Sequence, residues 1–429
     1  MFFEQKLFKK IVDIKKEVAV LDLGTDTICA AVVKNEPKDK ADTSLGIGNG
    51  LRVLGVGYQL SKGMKYGTIT NLEDLEESMI GAIASAEAEA QRSIKSVFIA
   101  LPPWVLGSHA VEASIEIGQL PVDEIHLSSL TNFDTSKYID ENQEVVHIFP
   151  VSYSVDEISG VKDPIGMVGD KLSAVFHVIS APSSFLKNIT SCLNRNNIEV
   201  SGFIASTYAS VLSVVLNEEA SSGITLVDIG GVTTSIACMH DGILLYLGTI
   251  PVGSQAITND IAMVLRTTKS SAERLKILYG VSGSSVDEEP ILVSRIDEYG
   301  EEHVQNISKG MLDSIISARL EEILDKVREH ILSCGADKLL YQRIVITGGG
   351  SRLSGLNEFM RAKRYFADVS VRLGKPIGTT GSHDFVKSPS FASAAGAANY
   401  CLGEFSGKNL QNDSKSLWQR LMVWFKRGI

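Results

Sequence analysis

Residues 224–253 read ITLVDIGGVTTSIACMHDGILLYLGTIPVG, and the rest of the chain is organised around them. The run Ile224 to Val227 is rich in β-branched residues and long enough for one buried strand; it ends in Asp228, Ile229, Gly230 and Gly231. The strand pattern resumes at Thr234, breaks at His240, Asp241 and Gly242, and starts again at Ile243. Glycine leaves the backbone N–H groups of such a hairpin bare, so that it can close on an anion with a carboxylate at its rim. That chemistry suits a phosphate and its metal ion. Turns of Asp and Gly also occur in structures that bind nothing, so one hairpin decides little.

A second copy carries more weight. Residues 18–33, VAVLDLGTDTICAAVV, repeat the grammar: an apolar strand, Asp22, a small-residue turn at Gly24 and Thr25, then another apolar strand. Two such units about two hundred residues apart read as an internal repeat. Two unrelated hairpins in an α/β protein are the alternative. A third element follows: RIVIT at 343–347, then Gly348, Gly349, Gly350 and Ser351, then a helical pattern over 356–365. Three successive glycines let the backbone lie flat against a planar group, with a helix N-terminus nearby.

In order and spacing, the three elements resemble the nucleotide site of the superfamily of actin, heat-shock chaperones and sugar kinases. The resemblance implies an α/β, actin-like two-lobed fold with duplicated ribonuclease-H-like cores, binding ATP and Mg2+. Asp22 and Asp228 would orient the magnesium through water, and Gly24, Thr25, Gly230, Gly231 and Thr233 would enclose the phosphates. A magnesium ion that keeps waters and takes few carboxylates is consistent with this set. In residues 269–280, KSSAERLKILYG, Glu273 and Lys276 lie three apart on one helical face, matching the segment that meets ribose and base. An exposed ion pair is the other reading of that spacing. The second hairpin departs from the family pattern, carrying Val232 and Ser235 where a third glycine and an acid are usual, so the resemblance reaches nucleotide binding further than hydrolysis.

Narrower resemblance comes from residues 145–180, VVHIFPVSYSVDEISGVKDPIGMVGDKLSAVFHVIS, together with 61–90 and 92–102. These are similar to the FtsA family of bacterial division proteins, in which a small inserted subdomain replaces one placed elsewhere in other actin-like proteins. The implied plan is subdomain IA over 1–103, an inserted IC over 104–179, IA again over 180–215, IIA over 216–260, IIB over 261–335, IIA again over 336–402, a linker over 403–415 and a terminal helix over 416–429. Subdomain IC is read as short strands among polar loops, and 253–267 as resembling the family's connecting helix. The resemblance further implies docking of the C-terminal tail of tubulin-like FtsZ on IIB, self-association into filaments, and recruitment of later division proteins.

The tail, SLWQRLMVWFKRGI, places Leu417, Trp418, Leu421, Met422, Trp424 and Phe425 on one broad helical face and Gln419, Arg420, Lys426 and Arg427 on the other. Aromatic and aliphatic groups opposite cations, with no acid after Asp413, describe a helix lying in the headgroup boundary of an anionic membrane. Phe2, Phe3, Leu7, Phe8 and Ile11 also gather on one side of a hypothetical first helix, with Lys6, Lys9 and Lys10 largely elsewhere. A frayed end, a helix on the core and a second membrane contact are its readings.

Composition agrees with a folded protein of two or more subdomains: 429 residues, 44% hydrophobic and 21% charged. A formal charge of −10 argues against general nucleic-acid binding. Cys29, Cys192, Cys238, Cys334 and Cys401 are scattered and have no metal-ligand spacing. No apolar run approaches a membrane span and the N-terminus lacks a signal-peptide centre, so the protein is expected in the cytoplasm unless its ends touch a membrane; the FtsA resemblance implies the cytoplasmic face of the inner membrane, at the division site. His109, His126, His147, His177 and His240 stand isolated, and no catalytic nucleophile announces itself. A nucleotide-gated assembly protein is therefore preferred to an efficient ATPase. The competing readings are a small-molecule kinase of the same superfamily and a membrane-associated pilus assembly protein.

Overall fold

The computed structural model describes residues 17–36, 50–65, 68–131, 138–281, 288–296, 300–333, 343–366, 369–381 and 383–405. The N-terminal segment 1–16 and the terminal helix expected over 416–429 lie outside the described residues.

The first lobe opens with β1 (Glu17–Leu23), β2 (Thr27–Glu36) and β3 (Gly50–Leu60), followed by a small hairpin of β4 (Met64–Lys65) and β5 (Thr68–Ile69), helix α1 (Leu72–Ala90) and β6 (Ser96–Leu101). Helix α1 starts where the Asn71 side chain accepts the amides of Glu73 and Asp74, and it buries Leu75, Met79, Ile83 and Ala86 at helical spacing. The insertion contains β7 (Gly107–Pro121), α2 (Glu124–Leu130), β8 (Gln143–Val155), β9 (Ile158–Val161) and β10 (Val168–Pro182). The chain then returns through α3 (Ser183–Arg195), β11 (Glu199–Ala205), α4 (Ser206–Val214) and α5 (Asn217–Ser222).

The second lobe repeats the plan with β12 (Ile224–Ile229), β13 (Thr234–His240) and β14 (Ile243–Ile250), then α6 (Ser254–Leu265), α7 (Lys269–Tyr279), β15 (Pro290–Ile296), β16 (Glu302–Ser308), α8 (Lys309–Ser333), β17 (Arg343–Thr347), α9 (Leu356–Ala362) and β18 (Ser370–Leu373). Strand β19 (Thr379–Thr380) pairs back onto β3, and α10 (Ala392–Phe405) packs on β1, β2 and β6.

The duplication is explicit in the sheets. Their orders are β11-β6-β1-β2-β3-β19 and β14-β13-β12-β17-β18. In each, a central strand (β1 or β12) pairs antiparallel with the next strand in sequence and parallel with a strand that returns after a long excursion (β6 or β17). Parallel neighbours require such crossovers, so each half is an α/β unit built the same way. Between the halves lies a shared core in which α4 packs on α10; Gly396 is so close to Ala209 that a Cβ would stand 1.6 Å from its carbonyl oxygen.

Two readings change. The inserted strands are long, because β10 pairs with β7 from Val168↔Pro121 to Ser180↔Gly107 and with β8 along its other edge. Their polar residues occupy the alternate, solvated positions of an antiparallel sheet and not loops. Residues 253–267 form α6 within the second lobe, packed on α7 and α8; α4 and α10 are the helices that pack on each other between the lobes.

Candidate nucleotide site

The two hairpins meet. The Val232 amide donates to Thr25 Oγ1 at 3.3 Å, and Gln255 Nε2 donates to Asp26 Oδ1, so each turn is fastened to the opposite lobe. In the second turn the Gly230 amide donates to the Thr233 carbonyl at 2.8 Å, while the carbonyls of Gly230 and Gly231 accept from the Ser254 and Gln255 amides at 2.9 and 2.7 Å. The N-terminus of α6 thereby fixes the peptide planes of the loop.

Above the turns opens a cavity of about 540 Å³, within the ordinary range for a small-molecule site. It is lined by Asp22, Gly24, Thr25, Asp228, Gly230, Thr233, Glu273, Lys276, Gly348, Gly349 and Gly350. Of the residues singled out from sequence for this site, Gly231 alone stays off the wall. It backs the turn against Asp26, whose Cβ an added side chain would meet at 2.7 Å.

Asp22 and Asp228 face the same cavity from the ends of β1 and β12. Ser393 Oγ donates to Asp22 Oδ1 at 2.9 Å, and Ser210 Oγ donates to Asp228 Oδ2 at 2.7 Å. Burial pushes Asp22 up to about 7, with the Asp228 charge adding to it against the Ser393 hydrogen bond. Burial raises Asp228 also, against the hydrogen bond from Ser210. Two carboxylates held under such repulsion gain from a bound cation. No cluster of three or more His, Cys, Asp or Glu suited to a metal occurs among the described residues. The donor set therefore fits a hydrated magnesium ion completed by phosphate oxygens, and not a metal caged by protein alone.

Lys276 is 7% exposed; its Nζ lies 2.7 Å from Glu273 Oε2, 2.9 Å from Thr258 Oγ1 and 3.3 Å from the Ser254 carbonyl. The ion pair read from their spacing exists, and both of its members also line the cavity. Gly348 has φ 84° and ψ 171°, a conformation essentially reserved for glycine, and the following turn Gly349–Arg352 is a tight 3-10 helix.

Several wall residues escaped the sequence reading. Ser393 comes from a helix far along the chain, and Phe385 stands edge-on to Tyr58 with ring centroids 4.6 Å apart. Ser206 lies on the wall, and Ser210, four residues on in α4, is off it and holds Asp228; helical spacing is the only local signal for either. Two of the histidines tie the fold together: His147 Nε2 accepts the Ala205 amide at 3.1 Å, and burial drives it down to about 3, keeping it neutral. His177 Nδ1 donates to the Leu244 carbonyl at 3.0 Å, tying the insertion to the second lobe.

One consequence is measurable. Asp22 holds a proton below about pH 7 that an unfolded aspartate, at 3.8, has already lost, so its contribution to the stability of the ligand-free protein is lost as pH rises from about 4 to 7. Cation binding should expel that proton. Calorimetry of Mg-ATP binding in buffers of differing ionisation enthalpy is expected to show net proton release near pH 6.5, with affinity rising at most about tenfold per pH unit up to 7. Asp22→Asn should reduce the proton release, leaving only what Asp228, also raised by burial, contributes.

Comparison with known proteins agrees with this architecture. A family model described as Cell division protein FtsA matches residues 225–396, and a model of the SHS2 domain inserted in FtsA matches 106–180. The chain is 31% identical to the cell division protein FtsA of Agrobacterium fabrum over 385 residues, covering 89% of this chain and 86% of that protein. It is 30% identical to the Escherichia coli K12 protein of the same name over 427 residues, covering 96% of each. Among solved structures it resembles a protein of the PilM-PilN type IV pilus biogenesis complex, with TM-score 0.62 at 14% identity over 90% of this chain and 98% of that one. It also resembles MreB5 of Spiroplasma citri bound to ADP, with TM-score 0.51 at 15% identity over 93% and 100%. The repeated sheets, the inserted-domain match over 106–180 and the relatives' identity over nearly the full length agree: this chain is a member of the FtsA family of cell division proteins, built on the actin-like fold.

Proposed function

We propose that the protein binds ATP with Mg2+ between its lobes, assembles into filaments, and holds FtsZ filaments at the cytoplasmic face of the membrane during division. The observation that carries the nucleotide reading is the convergence of Asp22, Asp228 and the Gly348–Gly350 turn on one cavity. In this reading Asp22 and Asp228, held by Ser393 and Ser210, orient the hydrated ion, which neutralises phosphate charge when bound. Gly24, Thr25, Gly230, Gly231 and Thr233 shape the phosphate loops, and Glu273 with Lys276 borders ribose and base. The ADP bound to MreB5, which shares this fold, favours the same ligand class.

Support for a docking surface on the second lobe comes from β15 and β16. Ile291, Val293 and Ile307 bury one face of this ribbon in the core, while Leu292 and Val304 stand 70% and 71% exposed on the other. Met263, Ile277 and Leu278 are exposed on helices α6 and α7, which share that lobe's core, and Ile277 also borders the nucleotide cavity. Apolar side chains held outward on rigid elements suit an incoming peptide such as the FtsZ tail. The proposed subdomain IIB boundaries, 261–335, enclose all five. Later division proteins and self-association belong to the same proposal through the FtsA kinship.

Leu417, Trp418, Arg420, Leu421, Trp424, Phe425, Lys426 and Arg427 supply the proposed attachment to anionic lipid. Removing residues 416–429 is expected to leave ATP affinity unchanged and to lower co-sedimentation with anionic vesicles, and with it vesicle recruitment of FtsZ, by at least about tenfold. Undiminished co-sedimentation of the truncated chain would refute the tail assignment. ATP-dependent phosphorylation of a small-molecule acceptor would favour the kinase alternative.

A further inference from the structure

Beside the nucleotide cavity lies a second one, of about 700 Å³, that the nucleotide reading leaves unused. Three stretches frame it: the tight turn Gly349–Arg352 with the start of α9, the chain leaving β18 as far as Lys375, and the 3-10 turns Asp384–Lys387 and Pro389–Phe391. These stretches are fastened to one another. Strands β17 and β18 pair in parallel, and Thr347 Oγ1, at the end of β17, lies 3.1 Å from the Gly374 carbonyl oxygen and 3.5 Å from that of Pro389. Arg352, Leu353 and Pro389 line both cavities, so the two share a wall.

The charged groups around the second cavity are unpaired. Arg352, Lys375 and Lys387 are exposed cations that make no ion pair or side-chain hydrogen bond among the described residues, and the same holds for Glu358 and Asp384, which line the cavity with them. Opposite charges set around one concavity without meeting leave the cations open to an anion and the acids open to a donor. Leu353, Leu373 and the buried Pro389 add apolar wall. The volume falls in the ordinary range for a small-molecule site. With a net charge of −10 the chain as a whole repels anions, which makes this group of three cations a local exception.

We propose that this cavity binds a second small molecule, an organic phosphate that carries hydroxyl or amino donors. Its phosphoryl oxygens accept charge-assisted hydrogen bonds from Arg352, Lys375 and Lys387, its donors meet Glu358 or Asp384, and its carbon skeleton lies on the apolar wall. An inorganic anion would use the cations alone and leave two carboxylates facing it, so the acids favour the organic ligand. An acidic peptide would bring further carboxylates against the same two, which argues against it. The inference stands apart from the ATP reading, since neither Lys375 nor Lys387 lines the nucleotide cavity.

Fructose 1,6-bisphosphate is the probe, with fructose as the neutral control and hexaglutamate as the acidic-peptide control. Each is titrated calorimetrically into the full-length chain loaded with a non-hydrolysable Mg-ATP analogue, which keeps the phosphate loops filled, and into Lys375→Glu with Lys387→Glu in the same state. The bisphosphate is expected to bind the parent at physiological ionic strength and the double variant at least about tenfold more weakly, whereas fructose and hexaglutamate bind neither. Both lysines are exposed, so the double variant should keep the parent's Tm and its affinity for the ATP analogue. Absence of bisphosphate binding overturns the proposal, as does equal binding by the double variant, or hexaglutamate binding as tightly as the bisphosphate. If the ATP analogue itself fails to bind, the nucleotide reading falls, and the same comparison of parent and double variant without it still decides the second site.

Discussion

Arg372→Ala is expected to be among the most destabilising single substitutions in this protein, costing about 3–5 kcal/mol. Glu219, 2% exposed, pairs with Arg372 through both carboxylate oxygens, one contact measuring 2.7 Å. The same guanidinium donates to the Val214 carbonyl at 2.8 Å, at the end of α4. Burial alone would push the Glu219 carboxyl up; the hydrogen bonds from Arg372 and the Leu216 amide outweigh it and hold the carboxyl below its ordinary range. Removing the arginine strands a buried charge with only Arg343 nearby, at 3.6 Å. A thermal melt at neutral pH should record a fall in Tm of about 3–6 °C. The pair's contribution is present above the ordinary glutamate range, near 4.5, and is lost as pH falls through the depressed folded value, so the variant and the parent should converge in acid. Because α4 ends on this pair and packs against α10, the site should loosen as well, seen as weaker ATP binding in the folded fraction.

Gly348→Ala is expected to damage both fold and site. A Cβ there would stand 2.2 Å from Asp228 Oδ1 and 2.6 Å from the Ile229 carbonyl oxygen, at a φ of 84° that an alanine tolerates poorly. Backbone strain contributes about 1–3 kcal/mol, and displacement of Asp228 should weaken Mg-ATP binding by at least about 100-fold. The neighbouring glycine separates the two effects. At Gly349 an added Cβ meets only Ser390 Oγ, at 3.6 Å, so Gly349→Ala should leave Tm unchanged and act on ligand affinity alone. Calorimetry with Mg-ATP alongside thermal melts distinguishes them. Equal Tm values for parent and Gly348→Ala would refute the steric account.

Legibility in the sequence followed the range of the physics. The hairpins at Asp22 and Asp228, the triple glycine and helices such as α1 and α8 are written in contiguous residues, because turn conformation and helical spacing are local properties. Since the hairpins recur in order, the duplicated α/β plan could also be expected from the chain alone, as could part of the cavity wall, the turn residues Asp22, Gly24, Thr25, Asp228, Gly230, Thr233 and the triple glycine. Strand length in the insertion is harder to read for a related reason: alternation in a one-face-solvated sheet dilutes its apolar residues, and only pairing of β10 with β7 and β8 shows how far each strand runs.

Other features depended on residues that meet only after folding. Ser393 reaches Asp22 from 371 positions away, and Arg372 reaches Glu219 from 153. Nothing near either residue marks it, since a hydroxyl or a guanidinium acquires its role from the group placed opposite. The raised pKa of Asp22 arises in the same way: burial by both lobes and the approach of Asp228 create it, whereas the sequence supplies an ordinary aspartate beside a glycine. By itself the sequence determined the repeated units, their turn chemistry and the basic amphipathic character of both ends. Tertiary structure alone decided which side chains face one another across the cleft, because hydrogen bonds and electrostatic coupling depend on distance in space and not on separation along the chain.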